Sequence, residues 1–286
     1  MRNLKFYFEK SLKRLDKLRP IVINKTVPPV IIYQMGKVGS SSVYASLKST
    51  DIPNSIFHVH QLSHTGFNRK EAWLKFSNIK KVPDDFKYSK KFRHIIDANR
   101  EKMDWKIITL TREPIGLIIS GIFENMRMFF KQLLDIDKKP VKEDILDFLS
   151  EHFRKLDISK NYYLNWFDEE LKDVFDIDVY SEPYDFENGF SILSRGNVST
   201  LVMRLEDMAR VFDKAIYRFM NLEKVCLQRM NVGSKKYYST QYKEVLKLLK
   251  LPLRVCEQIY STKYAQHFYT PDEISCLIKK WTTSKP

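Results

Sequence analysis

Apolar residues fall along this chain in short β-branched runs, separated by longer stretches with helical spacing. Val30, Ile31, Ile32 and Tyr33 form the first run, directly after Pro28-Pro29, and read as a buried strand. Gly36-Lys37-Val38-Gly39-Ser40-Ser41-Ser42 then breaks the pattern, and Val43, Tyr44 and Leu47 recur at helical spacing. Ser55 to His60 predicts a second short strand. Trp105 to Leu110 predicts a third, ending in Thr111-Arg112-Glu113-Pro114. Pro114 suits the first turn of a helix, whose apolar face is Ile115, Ile118, Ile119, Ile122, Phe123 and Met126.

Residues 64–104 are polar and basic and read as helix and loop, with His94 to Arg100 as a helix end. Two helical patterns follow over 141–176, one marked by Ile145, Leu149 and Phe153, the other by Tyr162, Trp166 and Leu171. Ile177 to Tyr180 predicts a strand, and Ser199 to Leu205 a stronger one leading into a helix through Phe212 and Ile216. Asn231 to Tyr242 reads as a loop with paired lysines, leading into a helix from Tyr242 to Lys250. A last helix carries Cys256, Ile259 and Tyr260. Strands separated by helical segments indicate an α/β fold of three layers around a mostly parallel sheet. Residues 29–286 form one domain in this reading, preceded by a basic extension over 1–28.

In that extension Leu4, Phe8, Leu12 and Leu15 lie at helical spacing among many Lys and Arg. Residues 1–20 therefore suit either a helix docked on the domain or an amphipathic one lying on an anionic membrane. The content of 43% hydrophobic residues excludes a disordered chain. A net charge of +14 favours nucleic acid, acidic membrane surface or polyanionic small molecules as partners. Cys226, Cys256 and Cys276 have no metal-type spacing and are odd in number, as expected of a reducing compartment. No apolar run approaches the roughly 20 residues of a membrane span and no leader is legible, so the expected location is cytoplasmic.

The candidate chemistry sits at the strand ends. Strand, glycine-containing loop and helix make an anion cradle, because the glycines let backbone N–H groups turn inward and the helix N-terminus adds partial positive charge. Lys37 lies within that loop. A nucleoside-triphosphate P-loop would need Ser or Thr directly after the lysine to hold Mg²⁺, and Val38 stands there. The loop thus suits a donor handled without a metal. Strand alternation puts His58 and His60 on one face, where an imidazole can act as a base. Arg112 stands at the carboxyl end of the third strand, with Ser120 eight residues later. Ligands of open α/β sheets bind at that edge, so the first loop and Arg112 flank one crevice.

The paired motifs, strand–GKVGSSS–helix and strand–TREPIGLIIS–helix, resemble the donor-binding motifs of sulfotransferases that use 3′-phosphoadenosine 5′-phosphosulfate (PAPS). That resemblance implies the sulfotransferase fold, a P-loop-like α/β/α arrangement. It implies that residues Gly36, Lys37, Val38, Gly39, Ser40, Ser41 and Ser42 wrap the 5′-phosphosulfate. Arg112 and Ser120 would hold the 3′-phosphate, with Pro114 completing the motif. LVMRLEDM (201–208) resembles a later family strand, and Lys235 and Lys236 in NVGSKKYYS would close over the nucleotide. These last two stretches also resemble a bacterial capsular polysaccharide synthesis family. His58-Val59-His60 is similar to the His-x-His segment of carbohydrate 2-O-sulfotransferases, which implies His60, or else His58, as the base. Gln61 and Val38-Gly39 depart from the usual wording and leave the subfamily open.

The expectation is a PAPS-dependent sulfotransferase acting on a hydroxyl of a carbohydrate or glycolipid, releasing 3′-phosphoadenosine 5′-phosphate (PAP), with no metal and no nucleic-acid partner. Two other readings stand beside it. One is a small-molecule kinase with a degenerate P-loop. The other is a non-catalytic module of the same fold that binds membrane or polyanion.

Overall fold

Five strands make one sheet in the computed structural model, which describes residues 20–126, 129, 141–228, 230 and 238–282. The helix predicted over residues 1–20 lies almost wholly outside them. Across the sheet the order is β2 (Ile56–Val59), β1 (Val30–Tyr33), β3 (Trp105–Thr111), β5 (Val198–Arg204) and β4 (Phe190–Arg195). The first four run parallel, and β4 is an antiparallel edge strand on β5. All four residues of β1 are fully buried, and so is most of β3. Strands covered on both faces need apolar side chains at every position, which is why these two read as near-continuous Val, Ile and Leu.

Helix α1 (Ser40–Lys48) follows β1, and the pair α2 (His64–Phe76) and α3 (Asp84–Asn99) follows β2. Their placement is visible in two neighbouring residues of β2. Phe57 meets Phe92 of α3, with ring centroids 4.4 Å apart, while His58 stacks on Tyr44 of α1 at 5.5 Å. Successive strand side chains point to opposite faces, so α1 and α3 cover opposite sides of the sheet. After β3 come α4 (Pro114–Glu124), α5 (Lys142–Arg154) and α6 (Tyr162–Trp166), the last running on through a π-helical stretch, Phe167–Lys172, to a closing turn at Asp173–Phe175. Beyond β5 lie α7 (Met208–Met220), α8 (Ser239–Leu248), α9 (Leu253–Tyr260), α10 (Lys263–Phe268) and α11 (Pro271–Trp281).

The chain leaves β1 towards β2 and later leaves β3 towards β5, in the opposite direction. That reversal makes the carboxyl ends of β1 and β3 the switch point of the sheet, the place where doubly wound folds open a crevice. Everything in the candidate site is gathered there.

Three details correct the sequence reading. Ile177–Tyr180 is not a strand. Asp178 accepts from Tyr180 N through its side chain and from Ser181 N through its carbonyl, and these bonds fold the backbone into a turn while Ile177 and Val179 fill the core. The sheet's fifth strand is instead β4, joined to β5 by the two residues Gly196 and Asn197. The helix carrying Cys256 is not the last. α10 and α11 follow it, started by Thr262 and by a capping box between Thr270 and Glu273.

Candidate functional site

The loop after β1 is held open by its backbone. Gly36, Lys37 and Gly39 all take left-handed conformations, with φ of 88°, 64° and 87°. Left-handed residues turn the chain sharply at the end of the strand, which glycine does at no steric cost. Val38 between them is wholly buried and pins the loop to the core. A Cβ on Gly36 would meet nothing within 4 Å, so that residue borders open space, whereas one on Gly39 would come within 2.7 Å of Leu205 Cδ1. Gly39 is also the residue from which α1 starts. The loop therefore brings open space beside Gly36 and a helix N-terminus to the switch point.

Arg112 reaches the same loop from the next strand. Its Nη1 donates to the carbonyl of Lys37 at 3.1 Å, and its Nη2 to the Tyr242 hydroxyl at 3.1 Å. The backbone of Arg112 is fixed in turn by the buried Tyr264 hydroxyl, which accepts from its N–H at 3.1 Å and donates to its carbonyl at 2.8 Å. Ser120 lies half-buried in α4, one turn beyond Gly116 on the same helix face. A Cβ on Gly116 would stand 3.7 Å from Arg112 Nη2, so the guanidinium lies along that face. Lys37 Nζ pairs with Glu124 Oε2 at 2.8 Å, and Tyr238 donates to the same oxygen at 2.9 Å.

The two histidines stand beside the loop, with ring centroids 5.1 Å apart, on the α1 side of the sheet. The sequence reading missed what joins them. Gln34, wholly buried, lies within hydrogen-bond reach of His60 Nδ1 at 2.7 Å, Ser40 Oγ at 2.8 Å and His58 Nε2 at 3.3 Å through its Nε2. Its Oε1 accepts from Gly36 N. One buried amide thus ties the cradle backbone to both imidazoles. Ser40 Oγ also lies 2.9 Å from His58 Nε2, so Ser40 faces the histidines. Ser42 accepts from Met230 N at 3.0 Å, and Ser41 is half-buried.

Lys235 and Lys236 lie outside the described residues, but the chain on either side of them is placed. Met230 is held to Ser42 and Tyr238 to Glu124, the partner of Lys37. Both anchors sit on the rim of the cradle.

Behind His60, the π-helical stretch supplies a buried carboxylate that sequence reasoning also missed. Oε2 of Glu170 accepts from Leu62 N at 2.9 Å, Ser63 N at 3.0 Å and the Tyr33 hydroxyl. Burial pushes this carboxyl up to about 7 against those bonds, each of which pulls it down. Trp166 Nε1 and the Tyr162 hydroxyl donate to the carbonyl of His60, at 3.2 and 3.4 Å. The segment carrying the base candidate is therefore nailed down from one side. An insertion of one residue into a helix gives a π turn, and such turns concentrate at functional sites. That is the signal that was present but not legible without the backbone.

All three cysteines are free thiols, and no helix among the described residues is long and apolar enough to cross a membrane. Among the described residues no His, Cys, Asp and Glu side chains gather into a metal-binding group.

No curated protein and no solved structure matches the chain. Residues 135–270, just under half of it, match the family model described as "Putative capsular polysaccharide synthesis protein". The match takes in β4, β5 and most of the later helices but stops short of the Gly36 loop, the histidines and Arg112. What this chain is similar to is a family named for glycan assembly.

Proposed function

We propose that this chain is a PAPS-dependent sulfotransferase that sulfates a hydroxyl of a carbohydrate or glycolipid, in the assembly of a cell-surface polysaccharide. The observation that carries the reading is the meeting of the Lys37 carbonyl and Arg112 at the switch point, with His58 and His60 tied to the same loop through Gln34. The donor set fits a nucleotide carrying two separated anionic groups. The helix N-terminus at Gly39 suits the phosphosulfate, and the Arg112 guanidinium suits the 3′-phosphate. The glycan acceptor is supported by the family matched over 135–270.

In this reading His60 takes the acceptor hydroxyl's proton as its oxygen attacks sulfur. The new O–S bond forms while the S–O bond to the leaving phosphate breaks, and the loop amides and Lys37 neutralise charge on the departing oxygens. General base assistance of this kind contributes about 10²–10⁴-fold. Lys37 reaches the donor by leaving Glu124, its partner in this arrangement.

Thermal shift tests the reading against the kinase alternative. PAP without metal should raise the melting temperature more than ATP with Mg²⁺. The reverse order would remove the sulfotransferase assignment.

A further inference from the structure

The α2–α3 hairpin carries a small apolar core of its own, while Phe92 and Ile96 of α3 belong to the main one. Phe67, Leu74 and Phe86, with Trp73 beside them, form a small apolar cluster separate from the main core. The hairpin is closed by Lys90, which pairs with Glu71 at 2.6 Å and lies 4.9 Å above the Phe86 ring. Its direction follows from two contacts. Arg100, just past the end of α3, accepts from Trp105 Nε1 at the start of β3, while Arg93 donates to Leu62, just beyond the carboxyl end of β2. The nine residues from Arg93 back to Asp84 add about 14 Å of helix at 1.5 Å per residue. The tip therefore projects past the edge of the sheet where the candidate site opens.

That tip is apolar and basic together. Of the ten large apolar residues exposed among the described ones, three fall here: Phe76 at 49%, Ile79 at 39% and Val82 at 39%. Six lysines lie between positions 75 and 91, against only Asp84 and Asp85, and Lys80 and Lys81 stand exposed between Ile79 and Val82. Scattered exposed apolar residues carry no message, but a cluster ringed by one sign of charge marks an interaction surface. The positive ring selects an anionic partner. It disfavours residues 1–19 of this chain, which carry seven Lys and Arg against Glu9 and Asp16.

We propose that the α2–α3 tip docks on a bilayer rich in anionic phospholipid, with Ile79 and Val82 entering the headgroup layer and Lys80 and Lys81 meeting its phosphates. Docked in this way, the protein turns the carboxyl edge of its sheet towards the lipid. The docking itself is independent of which donor the site binds. Joined to the proposed function, it makes the acceptor a membrane-borne glycan.

Sedimentation of the full chain with vesicles tests the docking. The protein should bind vesicles of phosphatidylcholine with phosphatidylserine, and not phosphatidylcholine alone. Ile79→Ser with Val82→Ser, and Lys80→Glu with Lys81→Glu, should each weaken that binding by about tenfold or more. Lys80 and Lys81 are exposed, so the charge-reversed variant's melting curve should stay unchanged. Ile79→Trp supplies a second readout, because its added emission should be quenched by brominated lipid beyond the wild-type level. Absence of binding to the anionic vesicles, wild-type binding by both double variants, or no added quenching would overturn the proposal. Binding that appears only after residues 1–19 are removed would overturn it too, by showing that the chain covers its own tip.

Discussion

Arg112 and Lys37 lie 75 residues apart, and the guanidinium of the first donates to the carbonyl of the second at 3.1 Å. The contact joins the loop after β1 to the end of β3, so two motifs that are separate in the sequence meet at one edge of the sheet. The same arginine also holds Tyr242 of α8, which brings the carboxyl-terminal helices to its rim.

Lys37 and Arg112 should separate in kinetics. Lys37→Ala should abolish transfer, because the charge lost is one needed as the leaving oxygens develop theirs. Arg112→Ala should mainly raise the donor KM, through loss of a charge-assisted contact of about 1.5–3 kcal/mol. Steady-state kinetics with the donor varied checks both. Near-normal constants in the two variants would sink the site assignment.

Glu124 should act as a brake on Lys37. Glu124→Gln removes the paired charge 2.8 Å from the ammonium while keeping an acceptor for Tyr238. The half-exposed pair is screened by water, so an increase of a fewfold in PAP affinity is expected, on the order of 0.5–1 kcal/mol. A weaker PAP complex would show that the pair instead orients the lysine for binding.

Gln34→Leu tests whether the buried amide positions the base. It strips Gly36 N, Ser40 and His60 of a common partner, and buried polar groups left unpaired cost about 1–3 kcal/mol. A lower kcat with little change in acceptor KM is expected. Histidine ¹⁵N spectra should also show an altered proton distribution on His60. A stability loss with unchanged spectra would mean that Gln34 only packs the core.

Glu170 gives the fold a pH dependence with a definite sign. Its carboxyl is raised from 4.5 to about 7 by burial, so the folded state holds the proton more tightly than the unfolded chain. Its contribution is complete below the unfolded value and is lost as pH rises through the folded one, amounting to about 3 kcal/mol in all. Urea titrations at about pH 5 and 8 should show wild type weakening at the higher pH, and Glu170→Gln should flatten that slope. An unchanged slope in the variant would place the dependence elsewhere.

Much of the sheet was legible because buried parallel strands leave a plain trace. Val30–Tyr33 and Trp105–Thr111 could hardly be anything else, given their density of β-branched residues bounded by Pro, Gly and a Thr-Arg-Glu-Pro stop. β4 escaped because Ser191 and Ser194 dilute its apolar pattern and because its edge position leaves several side chains in water. The two-residue Gly196-Asn197 connection, with Gly196 at φ 56°, was the hairpin signal to follow. Ile177–Tyr180 misled for the opposite reason, since its apolar residues serve the core without any strand partner. In the candidate site, glycines, lysine and arginine announce themselves by type and spacing. Gln34 and Glu170 do not, because a buried amide or carboxylate looks like a surface residue until its partners, 26 and 108 residues away, are seen beside it.

The proposed donor site between β1 and β3 should read a nucleotide with a phosphate on the 3′ position. Calorimetric titration of the purified protein with PAP, in the absence of metal and against ADP as control, measures this directly. Micromolar binding that depends on the 3′-phosphate and that Arg112→Ala weakens is expected. No binding, or a preference for ADP that requires Mg²⁺, would contradict it.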